Sequence, residues 1–144
     1  MPTTRARTKN RVSIQYAAPR RGVPSAAFLR KWVHVPFSVT LRIVGETEGR
    51  RLNRTFRKKN RATNVLTFKY DEMSGDIVLC HPVIRREARA QGKSIAAHYA
   101  HLVVHACLHL RGYDHEKKRD AARMEAREIR ILRRAGFRNP YTVE

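Results

Sequence analysis

The spacing of hydrophobic residues changes along the chain from a period of two to a period of three or four, and this change separates predicted strands from predicted helices. Four short segments have the pattern of strands: residues 12–16, 37–43, 65–68 and 77–80. The first two alternate apolar with polar side chains, whereas the last two are continuous apolar runs with Asp71, Ser74 and Gly75 between them. We therefore predict four strands, of which the last two are joined by a loop.

Helical spacing of apolar residues occurs between and after these segments. It predicts five helices: one that begins at Pro24 and carries Phe28, Leu29, Trp32 and Val33, a short one with Leu52 and Phe56, and residues 82–91, 94–111 and 116–135. Ser94 is a suitable N-cap for the fourth helix, and Gly112 can end it in the left-handed conformation. The elements predict an α+β domain in which a small four-stranded mixed sheet packs against about five helices.

The length of the chain, 144 residues, suits one domain. We predict a single domain over residues 11–144, preceded by a basic, flexible arm over residues 1–10 that contains no acidic residue. The N-terminus lacks the apolar stretch of a secretion signal, and no segment approaches the roughly 20 apolar residues of a membrane span. Cys80 and Cys107 lie among apolar residues, so we expect them to be reduced and buried. A cytoplasmic protein without membrane contact is the expectation.

Positive charge is the first indication of function. The chain has 31 Lys and Arg against 12 Asp and Glu, a formal net charge of +19, and a sequence pI near 11.3. Such a protein attracts polyanions, although a basic surface that only maintains solubility is the alternative. The charge is densest around Phe56, where we take six residues as candidate RNA contacts: Arg50, Arg51, Arg54, Lys58, Lys59 and Arg61.

The segment 101–115, HLVVHACLHLRGYDH, has the spacing of a metal site. His105 and His109 are four residues apart, so on a helix both imidazoles lie on one face. Gly112 then ends the helix, and the chain can turn back to bring His115 to the same ion. Three histidines leave the fourth position of a tetrahedral zinc ion for water, which is the arrangement of a catalytic zinc site.

The same offsets occur in the metzincin proteases, whose pattern is H-E-x-x-H-x-x-G-x-x-H. Ala106 stands where these proteases have the glutamate that acts as general base. The ligand set is therefore present without the base for peptide hydrolysis, and a zinc ion on a basic surface favours a phosphodiester substrate. His98 and His101 lie on the same helical stripe, and we assign both to packing or to supporting the ligands.

Four segments in one order carry a resemblance to a known family: LNRTFRKKNRATNVLTF at 52–68, GDIVLC at 75–80, AHYAHLVVHACLHLRGYDH at 97–115 and MEAREIRILRRAGFRNPY at 124–141. They resemble the YbeY family of bacterial rRNA maturation endoribonucleases over nearly the whole chain from about Val39. The resemblance implies an α+β fold, one zinc ion held by His105, His109 and His115, and Arg57 as a functional arginine beside the metal.

Three positions depart from the pattern of this family and bear on how its residues are held. Ala106 replaces a common glycine, Asn60 a frequent aspartate and Ala62 a frequent proline. None of them removes a ligand or Arg57, but two lie in the loop 57–63. Asn60 and Ala62 therefore affect how this loop is held, and hence how close Arg57 lies to the metal.

The resemblance also implies cleavage of single-stranded RNA, maturation of the 3′ end of 16S rRNA, ribosome quality control, and contact with the small ribosomal subunit and its assembly factors. We expect Arg57 to clamp the scissile phosphate. The nucleophile is either a metal-bound hydroxide or the RNA 2′-hydroxyl, and the sequence does not distinguish between them. Asp114 is a candidate hydrogen-bond acceptor for a ligand imidazole, or else a cap of the last helix. A monomer is expected. A noncatalytic ribosome-assembly RNA-binding factor with a structural zinc, and a metalloprotease, stay open as alternatives.

Overall fold

The computed structural model describes residues 11–112 and 118–141 and contains, within these ranges, four strands and five helices. Their order is β1 (Val12–Tyr16), α1 (Ala26–Lys31), β2 (Ser38–Val44), α2 (Glu46–Arg57), β3 (Val65–Asp71), β4 (Ser74–Cys80), α3 (His81–Ala90), α4 (Ile95–Leu110) and α5 (Lys118–Arg134). The predicted α+β class with a four-stranded mixed sheet and five helices is confirmed. The predicted basic arm lies outside the described residues.

The four strands form one sheet in the order β1-β2-β4-β3. β1, β2 and β4 are parallel to one another, whereas β3 runs antiparallel to β4. The predicted loop between β3 and β4 is much shorter than expected, because both strands extend to a two-residue turn at Glu72 and Met73. Asp71 closes this turn: its Oδ1 accepts hydrogen bonds from the Met73 amide at 2.7 Å and from the Ser74 hydroxyl at 3.0 Å.

One face of the sheet carries the main hydrophobic core, under α1, α4 and α5. Alternate residues of β2 and β4, among them Leu41 and Ile77, are fully buried on this face. α4 is buried on nearly all sides, which is the pattern of a helix in the interior. Gly75 permits its close approach, since a Cβ there would lie 3.4 Å from a methyl group of Leu110 and 3.1 Å from the Phe68 carbonyl oxygen.

The opposite face of the sheet is covered by α2 over a smaller cluster of buried side chains, Val44, Leu66, Val78 and Cys80. Gly49 brings α2 close to this face, because a Cβ there would lie only 2.9 Å from Cys80 Sγ. Phe56, which with Leu52 predicts this helix, lies near its end and is 61% exposed. The layer that holds α2 is therefore thinner and more open than the layer that holds α4.

Both ends of α4 are defined by the predicted residues. Ser94 is the N-cap, and its hydroxyl accepts a hydrogen bond from the Ala97 amide at 3.0 Å. Beyond the other end, Gly112 adopts a φ of +105°, a conformation that favours glycine. Cys80 and Cys107 are buried and form no disulfide, as expected. In the described ranges, no helix combines the length and the apolar character that crossing a membrane would require.

Candidate metal centre

A row of three histidines interrupts the buried surface of α4. His101, His105 and His109 are each partly exposed, whereas every other residue between positions 102 and 110 is buried. Residues four apart lie on one face of a helix, one turn above the other. The rings of His101 and His105 are accordingly 6.2 Å apart between centroids. α4 therefore presents imidazoles, and no other side chain type, along the one line of its C-terminal half that reaches solvent.

The carboxylate of Glu128 on α5 lies behind this row and is fully buried. Its Oε2 is 2.7 Å from His105 Nδ1, and its Oε1 is 2.9 Å from His101 Nε2 and also accepts the Tyr141 hydroxyl. An ionised carboxylate can only accept hydrogen bonds, so both imidazoles donate to it. This network assigns the proton of His105 to Nδ1, and a neutral His105 therefore offers Nε2 as its lone-pair nitrogen.

The pKa values of the network are consistent with an ionised Glu128. Burial by itself raises the pKa of this carboxyl, but the hydrogen bonds from His101, His105 and Tyr141 outweigh burial and lower the pKa to about 2. Burial and the hydrogen bond to Glu128 raise the pKa of the Tyr141 hydroxyl, which therefore stays a proton donor. The buried negative charge is stabilised by three donors, each fixed in direction.

The histidine row and Glu128 are chemically suited to a metal ion. His101, His105 and Glu128 offer ligand atoms within 4.8 Å of one another, so this group could hold a metal directly. However, the nitrogen to oxygen distances of 2.7 and 2.9 Å are those of hydrogen bonds, whereas two ligands of one tetrahedral zinc ion lie roughly 3.3 Å apart. The geometry therefore fits Glu128 better as the outer partner that orients a ligating His105.

The predicted ligands are placed in part. His105 and His109 lie one turn apart on α4, as their spacing predicts. His115 and Asp114 lie outside the described residues. Arg57 is the exposed last residue of α2, and α2 packs on the sheet face opposite to α4. The structure thus joins His105 to Glu128, while the predicted place of Arg57 beside the metal stays a prediction.

The six candidate RNA contacts are all exposed: Arg50, Arg51, Arg54, Lys58, Lys59 and Arg61. The loop that follows α2 is fixed by hydrogen bonds and packing on its protein side. The buried Asn53 donates from Nδ2 to the Arg61 carbonyl oxygen at 2.7 Å. Asn60 accepts from Arg50 Nε at 3.1 Å, and the half-buried Ala62 packs against the small cluster under α2. Asn60 and Ala62, the two residues of this loop that depart from the family pattern, therefore have contacts that fix the loop.

Glu128 and Tyr141 are the functional candidates that the sequence reading missed. Glu128 lies on the inward stripe of α5, four residues after Met124 and four before Leu132, both of which are buried. An acidic residue on an apolar stripe was the signal in the sequence, because a buried carboxylate needs a partner. Nothing local in the sequence indicates that the partner is a histidine of α4.

His98, a buried histidine of α4, joins three elements near the row. His98 Nε2 lies 2.8 Å from Glu87 Oε1 on α3, and the same oxygen accepts from Asn64 Nδ2 at 2.9 Å. Asn64 directly precedes β3, and its carbonyl oxygen accepts from the Cys80 amide at 2.9 Å. The cluster therefore fixes the start of β3 relative to the helix that carries the histidine row.

Comparison with known proteins gives one family. The family described as Endoribonuclease YbeY matches residues 6–136. Endoribonuclease YbeY of Nitrosomonas europaea is 49% identical over 140 residues, covering 92% of this chain and 85% of the relative, and that of Aromatoleum aromaticum is 51% identical over 132 residues, covering 87% and 86%. The solution structure of TM1509 from Thermotoga maritima has a similar fold, with a TM-score of 0.52 and 22% identity over 91% of this chain and 99% of that chain.

Proposed function

Because this chain belongs to the YbeY endoribonuclease family, we propose that it is a zinc-dependent, single-strand-specific endoribonuclease. We assign it to maturation of the 3′ end of 16S rRNA and to ribosome quality control, in contact with the small ribosomal subunit and its assembly factors. The observation that carries the catalytic proposal is the row of imidazoles on α4 with His105 held by the buried, ionised Glu128.

His105, His109 and His115 would hold one zinc ion in this proposal. Neutral imidazole nitrogens are preferred zinc ligands, and a carboxylate on the second ring nitrogen is the usual outer partner of a zinc-binding histidine. The His105 side chain is 27% exposed, so an ion on this row stays accessible to a substrate. Accessibility favours a catalytic over a closed structural site. When bound, the zinc ion supplies a Lewis acid that polarises a phosphodiester oxygen.

The chain's own residues have separate tasks. Glu128 keeps His105 in one tautomer and one orientation, which a metal site needs before the ion arrives. Arg57 neutralises the charge that develops on the scissile phosphate. The basic end of α2 and the arm over residues 1–10 bind the RNA backbone, which is attracted by the formal charge of +19.

A protease is not favoured by the structure. Ala106, which stands where a metzincin has its general base, is fully buried in the main core. The exposed line of α4 carries imidazoles only, so it supplies no carboxylate to activate water for peptide hydrolysis. A phosphodiester substrate is also consistent with the charge of the surface.

Zinc content and nuclease activity of three variants test the ligand assignment. We expect one zinc ion per wild-type chain by elemental analysis, together with cleavage of a single-stranded RNA that a chelator abolishes. His109→Ala should lose both. His101→Ala should keep its zinc, since the Nε2 of His101 is already bonded to Glu128. His34→Ala is the matched control, because this histidine is exposed and far from the row in sequence.

Two outcomes would contradict the proposal. If His101→Ala lost zinc while His109→Ala kept it, the ligands would be His101, His105 and Glu128. If Arg57→Ala and His109→Ala both folded and cleaved like the wild type, the catalytic site would be elsewhere. Duplex RNA and a peptide library serve as negative substrates, and cleavage of the peptides alone would exclude an endoribonuclease.

A further inference from the structure

An exposed aromatic pair lies at the end of α2. Phe56 is 61% exposed and packs edge to face against Phe68 of β3, with ring centroids 5.1 Å apart and an interplanar angle of 71°. Phe68 itself is partly buried against the small cluster under α2. The pair is therefore anchored from the protein side through Phe68, while much of the Phe56 ring stays open to solvent.

The charges around Phe56 are positive and largely uncompensated. The acidic residues of α2 stand in its first turn, where Glu46 pairs with Arg86 at 2.9 Å and Glu48 with Arg42 at 2.7 Å. At the other end, Arg54, Arg57, Lys58 and Lys59 are all exposed, and within the described ranges none of these four forms an ion pair with a carboxylate. Part of this charge complements the C-terminal end of the helix dipole. Four cations exceed what the dipole can balance.

The backbone that follows Phe56 is fixed. Lys58 adopts a φ of 58°, the only positive φ of a non-glycine residue in the described ranges, and its amide bonds the Arg54 carbonyl oxygen at 3.1 Å. Such a conformation is unfavourable for lysine and persists only where the surroundings impose it. Asn53 and Arg50 supply those contacts through the Arg61 carbonyl and the Asn60 side chain. The cations are presented on a preformed turn.

We infer that Phe56 is a stacking site for one unpaired base of single-stranded RNA, with Arg54, Arg57 and Lys58 as the contacts for the flanking phosphates. The inference rests on the proposed function and adds a base contact to it. Unpaired bases stack on exposed aromatic rings, and a duplex keeps its bases away from such a ring. The site would therefore contribute to selection of single strands as well as to affinity.

A second exposed aromatic ring, that of Tyr70 in β3, provides an internal control. Tyr70 is 64% exposed, but its hydroxyl donates to Asp76 Oδ2 at 2.7 Å, and Asp71 and Glu72 follow directly in the chain. An RNA backbone is repelled by this acidic environment. The two rings thus have similar exposure but surroundings of opposite charge, so of the two only Phe56 should respond to RNA.

Binding of a 2′-O-methyl single-stranded oligonucleotide to the zinc-loaded protein tests the inference without turnover. Phe56→Leu should weaken binding by about 5- to 100-fold, and Phe56→Trp should retain it. Tyr70→Leu should bind within twofold of the wild type. Inorganic polyphosphate, which has charge but no bases, should bind wild type and Phe56→Leu equally.

A spectroscopic signal separates stacking from a general loss of structure. The only native tryptophan, Trp32, is 3% exposed, so an added surface tryptophan can be read selectively. The fluorescence of Phe56→Trp should be quenched by the oligonucleotide but not by polyphosphate, and that of Tyr70→Trp by neither. Unchanged affinity of Phe56→Leu, or equal quenching by both ligands, would overturn the inference. These measurements involve no cleavage. They would therefore still test stacking on Phe56 if the zinc ligands proved to be other than His105, His109 and His115.

Discussion

The two helices that carry the candidate chemistry, α4 with 16 residues and α2 with 12, differ most in how far their side chains are buried. α4 is buried around nearly its whole circumference, and its reactive side chains are directed by a carboxylate with no exposed surface. α2 buries one narrow stripe, and its cations stand in solvent. The candidate metal site is therefore coupled to the folding free energy of the protein, whereas the proposed RNA surface is not.

This contrast has a functional meaning. A metal centre needs imidazoles held in one orientation, and a dense core with satisfied polar groups provides it. A surface for RNA needs charge and accessible rings, which require exposure. Substitutions at three places test this difference, and their expected effect on the free energy of unfolding falls from a few kcal/mol at the first to almost none at the last.

Glu128→Gln should have the largest effect. An amide in place of the carboxylate presents an N–H group to donors from His101, His105 and Tyr141, so at least one buried donor loses its acceptor. We expect the free energy of unfolding to fall by about 3 kcal/mol and the zinc affinity by roughly 10- to 100-fold. Urea unfolding with and without chelator, together with a zinc titration, measures both quantities.

Glu125→Gln on the exposed side of α5 is the matched control. Equal urea midpoints for the two variants would show that the buried carboxylate does not hold the histidine row. A lower midpoint of Glu128→Gln with unchanged zinc affinity would separate its structural from its positioning role.

The course of α4 could be predicted from the sequence because its determinants are local. Ser94, Gly112 and the spacing of His105 and His109 all act within one element. The histidine partners of Glu128 are 23 and 27 residues away, and no local period relates α5 to α4. The carboxylate could therefore be suspected from its apolar stripe but not assigned to His105.

A related limit applies at the other face of the sheet. The spacing of Leu52 and Phe56 predicts the helix, but the burial of Phe56 depends on whether the sheet extends beneath that turn, which spacing does not reveal. Likewise, the β3–β4 connection was predicted too long because Asp71 and Ser74 are typical loop residues. Here they close a two-residue turn.

An intermediate effect on stability is expected at His81, the buried first residue of α3. Its Nδ1 lies 2.7 Å from the Tyr99 hydroxyl. Burial, and then the charge of Arg85, lower the pKa of His81 below its ordinary value of 6.5. The folded state therefore prefers the neutral ring. This contribution to stability is complete above about pH 6.5 and is lost as the pH falls through the lower folded pKa.

Urea unfolding as a function of pH measures this effect. Wild type should lose more stability than His81→Gln as the pH is lowered from about 7 to about 5. The difference between the two losses should be smaller than the loss of stability caused by Glu128→Gln. His34→Gln should follow the wild type, because that histidine is exposed. Parallel curves for wild type and His81→Gln would show that protonation of His81 does not oppose folding.

The smallest effect on stability, and a distinct effect on binding, is expected from Arg54→Gln combined with Lys59→Gln. Both side chains are exposed, so the free energy of unfolding should change by no more than about 0.5 kcal/mol. Each lost phosphate contact should reduce the slope of log affinity against log salt by about 0.7 for single-stranded RNA, which gives about 1.4 for the pair. Arg86→Gln removes one positive charge from an exposed ion pair with Glu46 and should leave the slope unchanged. A double variant with the wild-type slope would place the RNA away from the end of α2. A double variant that unfolded more easily than Arg86→Gln would show that the charged side chains of α2, like the histidines of α4, contribute to the stability of the fold.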